Sequence, residues 1–505
     1  MTAIPATHGI KAARGRDFSD REPLDLHWAE FKIPLLYLLC LSALGLFFYP
    51  AFLAALIILL NRWRKDKTEF ILMLFLLIGE YGFVDKTVTG VFLWDFALVG
   101  SFFLWLAYRK PHLLKMLLGL LLFYAATIFL LAMTSIESMT IQILTIRSYL
   151  TIFCIIIPIV VLAAPGFDIN VYFRKVIVFA LVICAFYIVD GIILCGNVLV
   201  PRTPLWQGAG DSVFYRPIWN PFNFIIFRKY PPGLYFLMLA VYPMAKVYKM
   251  KIWQLLVVFG ALICSLTFTV ISGIMGGYIF LRVRLRKIFV ACLLGIVGVV
   301  GLYYVDGMLP TTTNEYYQES ALRIKSSVDQ FVDLYNAVDD EDIAMFASGR
   351  MAQILPKFDV MEREGKMWTG IGFLHREKSK INRYIIENEY YTDISDNIEV
   401  ATGIEVIPAQ IIVNMGYIGL FVHTLVFFLM WYLIRRFRYA SYVMTVLLLN
   451  VWFGLMGFAG LIAFEGLGIL SIAYAAVLAC NYNKVWGHDN KRRRRVSTSF
   501  RPSLE

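Results

Sequence analysis

Long apolar runs alternate with short polar or basic turns along most of the chain. A helix rises about 1.5 Å per residue, so about 20 apolar residues cross the hydrocarbon core of a bilayer. The apolar runs predict membrane spans at 70–84, 89–108, 113–133, 149–165, 176–195, 232–247, 288–305, 420–434, 440–457 and 461–480.

Two further apolar segments are too long or too polar for one simple span. Residues 33–60 are interrupted by Tyr49-Pro50, and both one kinked helix and a hairpin of two short helices fit them. Residues 252–281 lie between basic clusters and have hydroxyl residues at their middle, which favours a hairpin of two short helices. The pattern as a whole predicts an all-α polytopic membrane protein with about 12 to 14 transmembrane helices.

Two polar segments stand out from the apolar background. Residues 196–230 are rich in aromatic and basic side chains, and residues 306–408 contain 10 Lys and Arg against 19 Asp and Glu, a net charge of −9. The short turns, in contrast, are basic, as cytoplasmic turns of membrane proteins are. Alternation of the spans places 196–230 on the outer face, and the acidity of 306–408 places that segment there as a large, mainly helical periplasmic loop.

These features divide the chain into five regions. They are an N-terminal polar segment (1–32), a first transmembrane region (33–305) that includes the outer loop 196–230, the large loop (306–408), the C-terminal transmembrane helices (409–482) and a basic cytoplasmic tail (483–505). The polar N-terminal segment has no apolar core of the kind that a cleaved signal peptide needs.

The composition excludes several classes of protein. The chain is 59% hydrophobic and 16% charged, with a mean hydropathy of +0.67, which is outside the range of soluble enzymes. The net charge of +11 comes largely from runs beside the spans, so it indicates membrane topology and not a nucleic-acid partner. The seven cysteines lie in or beside apolar runs and the six histidines are scattered, so we predict no disulfide framework, no metal site and no cofactor.

Three arginines in the polar segments are candidates for binding an anion. Arg216 lies within the first polar segment, Arg228 lies near its end, and Arg350 lies in the second segment. A guanidinium stays protonated and donates two parallel hydrogen bonds to phosphate oxygens, so converging arginines can neutralise a diphosphate. The alternative for each is a surface arginine that extends along the membrane interface.

One carboxylate and two glycines complete the candidate site. Glu405 lies in an apolar stretch just before a span, where partial burial would raise its pKa toward the range of a general base. It is equally placed to be a carboxylate at a helix N-terminus, since Pro408 suits a first helical turn. Gly370 and Gly372 either let the backbone approach a ligand or serve only as loop punctuation.

The motifs of the second polar segment resemble those of the O-antigen polymerase and O-antigen ligase superfamily. The resemblance lies in Gly349-Arg350, Pro356, Gly370-Ile371-Gly372 and the run from Gln410 to Leu420. Upstream, the run from Arg228 to Gly233 is similar to the second-loop arginine region of that superfamily.

The resemblance implies a metal-independent glycosyltransferase of the GT-C-like type in the bacterial inner membrane. Its donor would be a polyprenyl-diphosphate-linked glycan at the periplasmic face, and a chain-length regulator protein would be a partner. Arg350, Arg228 and Arg216 would bind the diphosphate, Glu405 would accept a proton as a catalytic residue with Arg350, and Gly370 and Gly372 would lie near the substrate.

Several alternatives stay open. The ligase branch has His-Asn where this chain has Glu405-Val406, which favours a polymerase of O-antigen or exopolysaccharide, or a more divergent relative, over a ligase. A lipid-linked oligosaccharide flippase would instead need charges within its spans. A metal-dependent relative would use Glu80 and Asp85. The loop tryptophans fit either sugar stacking or the membrane interface, and they are Trp206, Trp219 and Trp368.

Overall fold

A computed structural model of the chain shows a mostly helical protein. The structure describes residues 21–45, 48, 50–78, 93–108, 111–194, 199, 217–218, 226–227, 232–265, 267–282, 350–374, 404, 406–456, 462 and 464–487.

Fifteen helices are numbered here in chain order within that part of the chain. They are α1 (Trp28–Gly45), α2 (Pro50–Lys65), α3 (Lys67–Ile78), α4 (Leu93–Ala107), α5 (His112–Met133), α6 (Met139–Leu150), α7 (Ile156–Leu162), α8 (Ile169–Ile188), α9 (Leu237–Tyr242), α10 (Ile252–Ser265), α11 (Phe268–Arg282), α12 (Arg350–Arg363), α13 (Ile407–Ile434), α14 (Ala440–Leu455) and α15 (Phe464–Cys480).

Four tighter or wider helical turns adjoin α6, α7, α8 and α9. A 3₁₀ turn, Thr151–Ile155, joins α6 to α7, and a π turn, Val189–Ile193, ends α8. A 3₁₀ turn, Pro232–Phe236, leads into α9, and a π turn, Pro243–Val247, follows it.

Among the described residues, four two-residue strands form two small sheets. Strands β1 (Glu22–Pro23) and β4 (Tyr248–Lys249) pair in parallel. Strands β2 (Pro217–Ile218) and β3 (Ile226–Phe227) pair in antiparallel register, with Pro217 opposite Phe227.

The apolar runs of the sequence coincide with the helices. Four helical stretches in the described residues are long and apolar enough to cross a membrane, namely His112–Met133, Met139–Leu162, Ile169–Ile193 and Ile407–Ile434. Six shorter apolar helices accompany them. The protein is therefore an all-α membrane protein, whereas the total of 12 to 14 spans stays a prediction.

Each of the two ambiguous segments contains two helices. Residues 33–60 form most of α1 and α2, which pack against each other, and α2 begins at Pro50. A proline in the first turn costs no hydrogen bond there. Residues 252–281 form α10 and α11, with the buried Thr267 between them. The two-helix interpretation therefore describes both segments.

The centre of the bundle is α8. Of its most apolar stretch 72% is buried, against 33% for α5, so α8 is surrounded by protein whereas α5 lies at the periphery. Its neighbours include α1, α10 and α9. The aromatic side chains of Tyr172 and Phe173 at its start are fully buried against Tyr442 of α14.

Basic side chains gather at one end of the helices, which we call the basic end (residues 62–69, 174–175, 249–251 and 435–438). The starts of α8 and α1 are joined there, because Arg174 Nε lies 2.5 Å from Glu30 Oε2. Lys175 Nζ lies 3.2 Å from Glu69 Oε1 of α3, and Arg62 of α2 lies 3.3 Å from the same carboxylate. These ion pairs bring the ends of four helices to one level.

The opposite end of the bundle, which we call the loop end, consists of residues 134–138, 189–193, 217–218, 226–227, 366–374 and 407–416. Helices α8 and α14 start together at the basic end, where the Tyr172 and Tyr442 hydroxyls are 2.9 Å apart. At its far end α8 contacts β3 through its π turn. At the far end of α14, a Cβ at Gly454 would lie 3.0 Å from Ile407, the first residue of α13. Hence the β2–β3 hairpin and the start of α13 lie at the same end.

Candidate functional site

Helix α13 is broken at Gly416, and the Gly-Ile-Gly loop occupies the break. Gly416 has φ 65° and ψ −171°, a backbone conformation that only glycine adopts readily. The break frees the backbone amides of Tyr417 and Ile418, which donate to the carbonyl oxygens of Met367 (3.1 Å) and Trp368 (3.2 Å). Buried backbone donors need such partners. The loop therefore completes the hydrogen bonding that the helix lacks.

Glycines let the two backbones cross at this point. A Cβ at Gly370 would lie 2.5 Å from the backbone nitrogen of Met415, and a Cβ at Gly416 would overlap the backbone of Trp368. A third hydrogen bond, from the Ile371 amide to the Val413 carbonyl at 2.9 Å, fixes the crossing. We call residues 366–374 together with residues 413–418 the glycine seat.

The other side of the loop is held by the turn between α5 and α6. Ser135 Oγ donates to the Ile371 carbonyl at 2.7 Å, and a Cβ at Gly372 would overlap this hydroxyl. Gln142 Oε1 accepts from the Phe373 amide at 3.2 Å, and Lys366 Nζ donates to a carbonyl of the turn, that of Thr134, at 2.9 Å. The loop is thus wedged between this turn and α13.

The structure therefore accounts for both predicted glycines by chain packing. The space beside Gly370 is filled by α13 and that beside Gly372 by Ser135. Both have positive φ angles, 78° and 109°. The interpretation of these glycines as loop structure is supported directly, and their proximity to a substrate stays a prediction.

A buried polar network lies beneath the glycine seat. Asn414 Nδ2 donates to the Tyr149 hydroxyl at 2.8 Å, and the Tyr149 ring meets Phe373 edge-on at 5.1 Å. Deeper in the bundle, His423 Nδ1 lies 2.7 Å from the Tyr124 hydroxyl. Polar groups in a membrane interior are costly unless they are paired. The network therefore ties α13 to α5 and α6.

Helix α12 packs on the glycine seat through an apolar face that contains a lysine. Met361 of this helix is buried with Ile371 and Val413. Lys357, one turn earlier on the same face, is only 1% exposed. Burial lowers the pKa of the Lys357 ammonium to about 7, because a charge loses its hydration there.

Arg350 is the first residue of α12. It precedes Lys357 by two helical turns, and positions seven residues apart lie on the same face of a helix. The side chain of Arg350 lies outside the described residues. The helix itself is positioned, however, and its N-terminus carries a partial positive charge.

The other predicted catalytic and binding residues, Arg216, Arg228 and Glu405, lie outside the described residues. Their neighbours in the chain are described. Pro217 follows Arg216 and Phe227 precedes Arg228, and these two neighbours are partners in the β2–β3 register. Val406, which follows Glu405, is the N-cap of α13, and Pro408 lies in its first turn as predicted.

Two aromatic side chains are exposed beside the crossing backbones. Trp368 is 68% exposed and Tyr417 is 40% exposed, and their rings meet edge-on at 5.8 Å. Trp206 and Trp219 lie outside the described residues. Of the three loop tryptophans that we singled out, Trp368 is thus at the glycine seat, where both sugar stacking and an interface role remain possible.

Sequence reasoning missed two features of this region. Lys357 has a detectable signal, because the spacing of Ile354, Lys357 and Met361 puts it on the apolar face of an amphipathic helix. His423 has one as well, because an ionisable residue within an apolar run indicates a functional or pairing role.

The metal-dependent alternative is not tested. Glu80 and Asp85, its proposed ligands, lie outside the described residues, as does His375. In the part of the chain that the structure describes, no group of three His, Cys, Asp or Glu side chains is placed to hold a metal ion. The metal-independent chemistry therefore stays a prediction.

Comparison with known proteins leaves the family of this chain open. No protein-family model matches the chain, and a search of curated proteins finds no match. The geometry of the loop end and the residues that adjoin it therefore carry the functional assignment.

Proposed function

We propose that the protein is a polysaccharide polymerase of the O-antigen or exopolysaccharide type. It transfers a glycan from a polyprenyl-diphosphate donor to a sugar hydroxyl at the periplasmic face of a bacterial inner membrane. The observation that supports this most is the common position of the β2–β3 hairpin and the glycine seat at the loop end. Both polar segments that contain the candidate arginines are connected to the β2–β3 hairpin or to the glycine seat at the loop end. The basic clusters lie at the opposite, basic end.

The register of the hairpin supports a shared ligand for Arg216 and Arg228. Each arginine is covalently next to one member of the Pro217–Phe227 pair. Paired residues in an antiparallel ladder have Cα atoms about 5 Å apart, so the two arginines adjoin a single strand pair, and in this proposal both bind one diphosphate.

Arg350 reaches the same ligand from α12 in this proposal. The start of a 14-residue helix is favourable for an anion, because its unpaired amides and its dipole point outward. Three guanidinium groups and a helix N-terminus balance the charge of a diphosphate. Such interactions accelerate transfer to the extent that they strengthen as the diphosphate leaves.

The transfer itself is a displacement at an anomeric carbon. The acceptor hydroxyl oxygen forms the new bond to that carbon while the bond from the carbon to the diphosphate oxygen breaks. The electron pair leaves with the diphosphate, and the hydroxyl proton goes to the Glu405 carboxylate. Glu405 directly precedes the N-cap of α13, so this base would lie beside the glycine seat.

The exposed aromatic pair supplies a surface for sugars. Sugar rings stack on aromatic faces through their apolar C–H groups, and Trp368 and Tyr417 project from the two crossing backbones of the glycine seat. In the proposal, the acceptor glycan lies against this pair while the membrane lipid of the donor lies beside the helices.

Replacing Glu405 by Gln is expected to lower the transfer rate by about a hundredfold while donor binding is retained, since the amide cannot accept the proton. Glu364→Gln is a matched control, because Glu364 is an exposed carboxylate of the same polar segment. Turnover by the purified protein measures both. Normal turnover of Glu405→Gln would remove this residue from the mechanism.

Lipid-linked glycans in a deletion strain distinguish the proposal from its alternatives. Loss of a polymerase leaves single repeat units attached to the lipid carrier on the periplasmic side of the membrane. Loss of a ligase would leave full-length chains on the carrier, and loss of a flippase would leave repeat units on the cytoplasmic side. Either of these last two results would contradict the proposed function.

A further inference from the structure

An apolar cavity of about 270 Å³ lies between α10, α11 and the turn after α9, at the basic end of the bundle. Its floor includes the buried Val258 and Ile274, and its walls include Leu256 and Phe259, which are 61% and 47% exposed. Exposed apolar side chains on a membrane helix face the lipid chains. The cavity is therefore open to the hydrocarbon of the bilayer.

A cationic group contacts one of the residues that line this cavity. Tyr278 lines the cavity, and its hydroxyl accepts a hydrogen bond from Arg282, the last residue of α11. The Arg282 guanidinium carbon lies 5.3 Å from the centre of the Tyr278 ring. Tyr278 therefore contacts both the apolar cavity and the Arg282 guanidinium.

A second arginine, Arg21, interacts electrostatically with Arg282. Burial lowers the pKa of the Arg21 guanidinium, and repulsion from Arg282 lowers it further. Two guanidinium groups that repel each other are stabilised by an anion bound between them. Near the cavity entrance at the start of α10, Lys249 and Lys251 add positive charge, and Lys251 also pairs with Asp25 at 2.6 Å.

We propose that this cavity and its arginines bind one anionic phospholipid from the leaflet at the basic end. One acyl chain lies between α10 and α11, and the phosphate bridges Arg282 and Arg21. Basic pockets between membrane helices are suited to anionic head groups, because charge and hydrocarbon contacts act together. The site lies at the other end of the helices from the glycine seat, so it does not depend on glycosyl transfer.

The test measures lipid preference of the full-length protein in detergent micelles by native mass spectrometry. Phosphatidylglycerol and phosphatidylcholine with identical acyl chains are added at equal concentration. The attraction expected for two arginines predicts a preference of roughly thirtyfold for the anionic lipid. Arg282→Gln should reduce the preference to roughly fivefold, as expected from the loss of one charge. Arg64→Gln, at an exposed basic position of the same end, should retain it.

A second variant tests the cavity separately from the charge. Met275 lines the cavity, and Met275→Trp narrows it without altering either arginine. This variant should lose retention of phosphatidylglycerol. Equal retention of both lipids by the unaltered protein would overturn the proposal. So would a preference unchanged by Arg282→Gln, unaltered retention in Met275→Trp, or displacement of the phospholipid by an uncharged polyprenol.

Discussion

Replacing Gly416 by Ala should lower the free energy of unfolding by about 3 kcal/mol, because the substitution forces an L residue into a glycine-only conformation. The new methyl group would also overlap the backbone of Trp368. Relief of that overlap moves the loop off α13 and leaves the amides of Tyr417 and Ile418 without their acceptors. Urea unfolding in detergent micelles measures the change.

Gly119→Ala is the matched control for this substitution. Gly119 lies inside α5, and nothing lies within 4 Å of a Cβ built there. Alanine favours helix over glycine by about 1 kcal/mol, so the control should be neutral or stabilising. An unfolding free energy for Gly416→Ala equal to that of the control would show that the glycine seat does not hold α13 as described.

Replacing Lys357 by Met should raise stability at pH 7, by an amount on the order of 4 kcal/mol from the shift in pKa. In the unfolded chain a lysine keeps its proton until about pH 10.4, whereas burial lowers the pKa of Lys357 to about 7. Between about pH 7 and pH 10.4, the unfolded state therefore binds one more proton than the folded state. The stability of the unaltered protein therefore rises with pH from about 7 to about 10 and is lowest below pH 7, while the methionine variant lacks this rise.

Unfolding free energies at pH 6, 8 and 10 test the expectation for Lys357. Lys366→Met is the control, because it removes a lysine that donates to the Thr134 carbonyl and keeps the buried one. The control should therefore retain the rise with pH. A methionine variant that is less stable at pH 7, or that keeps the rise, would contradict the assignment. A Lys357→Met variant that is more stable but no longer turns over substrate would indicate that the Lys357 ammonium binds the donor.

The helices were predictable from the sequence because membrane burial leaves a strong apolar signal. Each described apolar run is helical, and α5, predicted at 113–133, is His112–Met133. The start of α13 could not be predicted from the apolar pattern of the sequence. The span was predicted from 420, but helical structure begins at Ile407 and is broken at Gly416. Asn414 and the glycines weaken the apolar pattern there, and only contact with the loop stabilises the break.

The glycines of the candidate site could be singled out from the sequence, but the geometry in which they meet could not, and the roles of Arg216, Arg228, Arg350 and Glu405 stay predictions. The sequence singles out Gly370, Gly372 and Gly416 as motif residues, yet nothing local indicates that Gly370 and Gly416 belong to crossing backbones. A glycine at a positive φ angle and a flexible loop glycine look alike in a sequence. Lys357 differs in this respect, because its helical spacing with Met361 is a signal in the sequence that we missed.

Binding of undecaprenyl diphosphate to the purified protein tests the convergence of the arginines most directly. Arg350→Ala and Arg228→Ala should each weaken binding at least tenfold, and the double variant should lose less than the product of the two, since both side chains contact one ligand. Arg363→Ala, which removes an exposed arginine of α12 paired with Asp359 at 2.9 Å, should bind normally. Unchanged affinity in either single variant, or losses that simply multiply, would contradict a shared diphosphate site.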